Sequence, residues 1–143
     1  MCKSNITNFE QWSPMCQKTL NPFNIRASKS RWLGSHGTYK GFVRFDSFEY
    51  GVRAGERLIA NYIRKGFTSV YSIINRYAPL SENKTSDYIG YVVASFEHYG
   101  LSPYHIVIGS DSYFRLLRCI AIYESGVMLP IEFLTYVFDK WEI

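Results

Sequence analysis

The sequence predicts an α+β fold that is mostly α, a single domain with one short β element. Three observations predict it. Apolar residues recur at helical spacing through most of the chain after residue 47. Residues that start and stop helices bracket each of those stretches. Only one short run, GFVRF at 41–45, alternates as a strand does. With 143 residues and 47% apolar content, the chain is long enough for one hydrophobic core and too apolar for a disordered segment.

Taken in order, residues 1–20 are weakly patterned and read as an N-terminal extension, and Pro14 excludes one long helix there. Residues 21–41, rich in Asn, Ser, Gly and basic side chains, read as loop. After the 41–45 strand, Asp46 with Glu49 resembles a capping box. Phe48, Val52, Ile59, Tyr62 and Ile63 then form an apolar helical stripe that Gly66 ends. Thr68 or Ser69 starts a second helix, VYSIINRY, which Pro79 closes, and PLSENKT is a loop. Thr85 or Ser86 starts a third helix with Tyr88, Ile89, Val92, Val93 and Phe96 inward, ended by Gly100. LSPYHIVIG fits either a strand or an irregular segment. Ser110 caps a fourth helix, DSYFRLLRCIAIYE, with Gly126 as its stop. Pro130 suits the first turn of a last helix, IEFLTYVFDKW.

Composition narrows the function. A net charge of +4 favours anionic partners, but no run of five or six basic residues exists, which argues against a dedicated nucleic-acid binder. Aromatic residues reach 17%, enough to supply stacking surface as well as core. Cys2, Cys16 and Cys119 have no metal-ligand spacing, and neither do His36, His98 and His105. No metal or cofactor is expected, and the cysteines read as reduced thiols. MCKSNITNFEQW has no apolar signal core and no stretch is long and apolar enough to insert in a membrane, so neither secretion by a Sec-type signal nor membrane insertion is expected.

Three stretches are candidates for chemistry. In AIYESGVMLP the carboxylate of Glu124 falls in the last turn of the fourth helix. The negative end of the helix dipole and apolar neighbours there penalise a charged carboxylate, which suits a general acid. The plainer reading is a surface Glu beside a Gly126 cap. NPFNIRASKSRWLG, residues 21–34, offers Asn24, Arg26 and Trp32 as polar, cationic and stacking groups, or else forms a structural loop around a buried Trp32. SENKTSDY, residues 81–88, can bring Glu82 and Tyr88 to a helix N-terminus, or simply cap it.

Together these stretches resemble a known family. NPFNIR, followed by WLG and then FVRFDSFEYGVRAGERLIANY, is similar to a segment of peptidoglycan glucosaminidases of the flagellar and autolysin type. Asn21, Phe23, Ile25 and Arg26 map onto that family's Asn-Leu-Phe-Gly-Ile-Lys motif, and Trp32 and Gly34 onto its Trp-x-Gly. Ala121, Glu124, Ser125 and Gly126 match the Ala-x-x-Glu-Ser-Gly context of the family's catalytic Glu. In the family the Glu helix precedes the Asn loop, whereas here it follows. The resemblance therefore implies a circularly permuted lysozyme-like domain spanning residues 1–143.

A second resemblance, covering most of residues 21–126, is to small phage proteins of the structural or virion type. It rests on Asn21, Pro22, Asn24, Ile25 and Arg26, on Gly51, Val52, Arg53 and Ala54, and on Ala78, Pro79, Glu82, Asn83 and Thr85. Phe23 and Leu80 depart from the Gly and Pro of that group.

The resemblances imply a phage-associated glycosidase, a lysozyme, glucosaminidase or lytic transglycosylase that cuts the MurNAc–GlcNAc glycan of bacterial peptidoglycan. Glu124 would be the catalytic acid, with Asn24, Arg26, Trp32, Glu82 and Tyr88 binding substrate. Asp46, Glu49 and Glu82 are the candidates for a second carboxylate. The partners implied are peptidoglycan and other virion proteins, with no nucleic acid, and the location is the virion or the host cytoplasm before release. The alternative is a non-catalytic virion structural or assembly protein that keeps the lysozyme-like fold.

Overall fold

The computed structural model describes residues 9–78 and 85–143. It is mostly helical, with six α-helices and a two-stranded antiparallel sheet among the described residues, an α+β fold dominated by α. The chain divides into two compact units. One comprises the chain up to Arg57 together with Ala121–Ile143, and the other is Leu58–Ile120. Helices α2 (Phe48–Arg64) and α5 (Asp111–Ser125) carry the chain from one unit to the other and back.

In the first unit, α1 (Pro14–Thr19) begins on Ser13, whose Oγ accepts from the Cys16 N–H at 3.1 Å. Pro14 sits at the first position of this helix, where a missing N–H costs nothing. Strands β1 (Ser35–Tyr39) and β2 (Phe42–Phe45) form a hairpin, with register pairs Ser35 to Phe45 and Thr38 to Val43 and an irregularity between them. β2 fulfils the 41–45 expectation, whereas β1 lies where a loop is expected. SHGTY carries no apolar alternation because the middle of the strand faces solvent on both sides. Helix α2 is capped by Ser47, whose Oγ accepts from Tyr50 N at 3.3 Å, rather than by Asp46, which pairs with His36. Helix α6 (Ile131–Lys140) follows Pro130 and buries Phe133, Leu134 and Val137. Trp12 stacks on Phe48 with ring centroids 4.6 Å apart, and Phe48 stacks on Phe133 at 5.9 Å.

Three glycines let this unit close. A Cβ on Gly51 would lie 2.0 Å from the Leu20 carbonyl oxygen, and one on Gly55 would lie 2.1 Å from the Phe23 ring. One turn apart on α2, they form the seat for residues 20–23. Gly34, at φ 76°, presses against the Tyr50 ring.

In the second unit, α3 (Val70–Tyr77) starts with a capping box in which Ser69 and Ser72 exchange side-chain and backbone hydrogen bonds. It packs against α4 (Thr85–His98), which buries Tyr88, Val92 and Phe96. Thr85 Oγ1 donates to the Ala78 carbonyl at 3.1 Å. Residues 101–110 are irregular. Ile106 N–H donates to the Thr68 carbonyl, and Val70 N–H to the Pro103 carbonyl, both at 2.8 Å. These isolated bonds serve the backbone without a strand ladder. Ser110 Oγ accepts from Tyr113 N at the start of α5. Residues 79–84, with Pro79 and Glu82 of the expected PLSENKT loop, lie outside the described residues.

The glycine seat makes a direct prediction. Gly55→Ala forces a methyl into the Phe23 ring and is expected to destabilise the fold by about 1–3 kcal/mol or more. Gly90→Ala, at an exposed α4 position with open space around the new methyl, is expected to stabilise it by roughly 0.5–1 kcal/mol through helix propensity. Urea midpoints of the two variants should move in opposite directions.

Candidate functional site

The site is built from the loop that follows α1. Leu20 ends that helix in the left-handed region, at φ 55°, with its N–H donating to the Cys16 carbonyl. Asn21 is fully buried, and its side chain uses both ends. Oδ1 accepts from Ile25 N–H, while Nδ2 donates to the carbonyls of Ile25 and Val43, all three at 3.0 Å. The Asn21 carbonyl accepts from Asn24 N–H at 3.1 Å. This folds residues 21–25 into a tight loop bonded to β2 and places Asn24 at φ 51°, a conformation Asn tolerates better than most residues.

Asn24 then reaches a residue one hundred positions away. Its Nδ2 donates to Glu124 Oε1 at 3.0 Å and to the Glu124 carbonyl at 3.2 Å. Glu124 lies in the last turn of α5, half-buried. The end of that helix is closed by Gly126, at φ 70°, whose N–H donates to the Ile122 carbonyl at 2.9 Å, a left-handed C-terminal cap. The Ser125 carbonyl accepts from Ser13 N–H at 2.9 Å. Ser125 is itself buried, as is Cys16. Burial pushes that thiol up to about 12, so Cys16 is neutral and unreactive. Of the Glu-Ser-Gly triplet, Ser125 and Gly126 are therefore explained by architecture, and Glu124 carries the side chain that reaches the loop.

The remaining residues separate. Arg26 is exposed, pairs through its backbone with Phe42 and lays its guanidinium over the Phe42 ring at 4.8 Å. Trp32 lines a different concavity of about 540 Å³ with Arg31, Leu33, Arg53 and Arg57. Tyr88 belongs to the second unit and is 3% exposed, with its ring in the core. Glu82 lies outside the described residues. Of the other candidate carboxylates, Asp46 is held by His36. Glu49 is held by Lys140 at 2.8 Å and by the Trp141 indole N–H at 3.0 Å.

Two features escape the sequence reading. One is the arginine cluster around Trp32. The other is Glu56, fully buried on α2, whose pKa burial and then the nearby Asp139 charge push up to about 9. Glu56 falls on the Val52–Ile59 stripe, four residues after one and three before the other, and that spacing is the signal that could have found it. Among the described residues no group of three or more His, Cys, Asp or Glu is placed to hold a metal ion. No helix among them is long and apolar enough to cross a membrane.

No protein-family model matches the chain. It is similar to Protein P5 of Pseudoalteromonas phage PM2, with 36% identity over 78 residues, which cover 50% of this chain and 49% of that protein. The chain thus has a phage protein as a relative and spans about half its length.

Two outcomes follow from these contacts. Asn24→Ala removes two hydrogen bonds and strains a left-handed backbone position, and is expected to lower stability by roughly 1–3 kcal/mol. Asn24→Gly keeps the backbone and should cost less, as denaturant midpoints will read. Glu56 binds its proton in the folded state up to about pH 9 but loses it near the ordinary carboxylate value when unfolded. Its folded pKa is raised, so its contribution is fully present below the unfolded value and is lost as pH rises toward about 9. Glu56→Gln should flatten the alkaline decline in stability across that window, measured by urea denaturation at several pH values.

Proposed function

We propose that this chain is a phage-associated enzyme that cleaves the glycan strand of bacterial peptidoglycan, with Glu124 as its general acid. The observation that carries the reading is the hydrogen bond from Asn24 to Glu124 Oε1. It joins the two segments, NPFNIR and AIYESG, that resemble the loop and the catalytic-Glu helix end of the glucosaminidases, although their order in the chain is reversed. A circularly permuted lysozyme-like arrangement accounts for that convergence. With Oε1 accepting from Asn24, a proton on Oε2 is positioned for donation to a glycosidic oxygen. Asp46 pairs with His36 and Glu49 with Lys140, and Glu82 lies outside the described residues. The reading takes a route that uses one carboxylate. In that route Glu124 protonates the leaving oxygen, then accepts a proton as the sugar's own hydroxyl closes on the anomeric carbon. The relative in phage PM2 supports a phage setting, with the protein carried in the virion or held in the host cytoplasm until release.

A second reading, a non-catalytic virion or assembly protein, is favoured by the other half of the Asn24 contact. The same amide caps the Glu124 backbone carbonyl, as a purely architectural residue would.

Zymography on purified peptidoglycan separates the two. Wild type is expected to clear the wall, and Glu124→Gln is expected to abolish clearing while keeping the fold, since the Gln carbonyl still accepts from Asn24. Absence of clearing on several wall types, or clearing that survives Glu124→Gln, leaves the assembly reading. Mass spectrometry of the products then distinguishes anhydro-muramyl ends from reducing ends.

A further inference from the structure

We infer that the concavity lined by Arg31, Trp32, Leu33, Arg53 and Arg57 is a binding site for a phosphate-bearing ligand whose uncharged part packs on Trp32 and Leu33. The site lies within the first unit and does not include Glu124. Three guanidinium groups line it. None of the three arginines takes part in the ion pairs of His36 with Asp46 and Lys140 with Glu49 among the described residues. Arg53 and Arg57 stand four residues apart on α2, a spacing at which like charges destabilise a helix. They are nevertheless held in place. Arg57 Nη2 donates to the Trp141 carbonyl at 3.2 Å, and the Arg53 guanidinium lies 5.2 Å from the Trp141 ring centroid. Trp141 is fixed in turn by its indole N–H on Glu49. One residue after Leu33, Gly34 is pressed on the Tyr50 ring.

The donors are set out without acceptors. Trp32 Nε1, Arg53 Nε and Arg57 Nε are buried and find no hydrogen-bond acceptor among the described residues. Buried donors are seldom left so, and several around one concavity are what an oxyanion satisfies. Two features select phosphate over a carboxylate. Three clustered positive charges are better compensated by a dianion than by a monoanion. Guanidinium forks also match the several oxygens of a phosphate at once. A volume of about 540 Å³ exceeds a bare anion and falls in the range of small-molecule sites. Leu33, 47% exposed, and the Trp32 ring offer apolar contact to the remainder of the ligand. Free phosphoesters and phospholipid headgroups share this chemistry. The inference does not depend on the Asn24–Glu124 contact that carries the glycan-cleaving reading, and it gives Trp32, which that reading assigns to glycan binding, a different ligand.

The test is an NMR titration of the Trp32 indole N–H, assigned through Trp32→Phe, with phenyl phosphate, inorganic phosphate and acetate at constant ionic strength. A parallel arm uses vesicles of phosphatidic acid in phosphatidylcholine. A saturable shift with phenyl phosphate, weaker with inorganic phosphate and weakest with acetate, is expected for a soluble phosphoester site. A response to the phosphatidic acid vesicles alone assigns the same site to a headgroup. Arg53→Gln should weaken binding by at least about tenfold, the loss expected for a charge-assisted hydrogen bond. Arg31→Gln, at an exposed loop position that leaves α2 untouched, should weaken it as well. No saturable shift in either arm, acetate binding as tightly as phenyl phosphate, or undiminished binding in folded Arg31→Gln and Arg53→Gln overturns the inference.

Discussion

The side chain of Asn21 is the interaction on which the first unit depends. One buried amide makes three hydrogen bonds, two to Ile25 and one to Val43, and so ties residues 21–25 to strand β2. Each of those buried groups would be costly to leave unsatisfied, on the order of 1–3 kcal/mol. An apolar residue there would leave the Ile25 N–H and the Val43 carbonyl without the Asn21 amide, although the Ile25 carbonyl would keep its bond from Val43 N–H. Everything nearby is built on that loop. Phe23 is fully buried over Gly55, Asn24 is forced into the left-handed region, and the Asn24 amide is thereby aimed at the end of α5.

Two chemically different places follow from this one scaffold. The contact of Asn24 with Glu124 is a carboxylate engaged by a neutral amide, suited to holding or passing a proton. The concavity beside Trp32 is the reverse, a set of cationic and N–H donors without acceptors. The latter is lined by Arg31, Trp32 and Leu33 and by Arg53 and Arg57 of α2, which fall on the side of that helix away from Gly51 and Gly55. The segment Gly51, Val52, Arg53, Ala54, which resembles a phage-protein motif, thus serves close packing, core and charge in successive residues.

What could be read from the sequence was what periodicity encodes. The stripes from Val52 to Ile59 and from Tyr88 to Phe96 gave α2 and α4, and Gly66, Gly100 and Gly126 marked the ends because only a positive φ ends a helix there. Strand β1 was illegible because SHGTY is exposed and owes its pairing to β2, not to its own pattern. The cap of α2 was displaced by one residue because Asp46 and Ser47 are both good caps, and His36, ten residues upstream, takes the Asp. The pairing of Asn24 with Glu124 was foreseeable only through family resemblance, since no local rule links residues a hundred apart. The arginine cluster was invisible for the same reason. Arg31 meets Arg53 and Arg57 only after the loop is seated. The inward position that periodicity gives Tyr88 is the one it occupies in the core.

The first unit is made from two separated lengths of chain, whereas residues 58–120 form the second without interruption. During synthesis the interior contacts of the second unit join residues that emerge close together. The Asn21 loop, though complete early, must wait for Glu124, Ser125 and the Trp12–Phe48–Phe133 stack to be finished by chain made much later. The Asn24–Glu124 site is therefore among the last parts of the protein to assemble, and a nascent chain halted before residue 121 has the loop but lacks the carboxylate that the loop is shaped to hold.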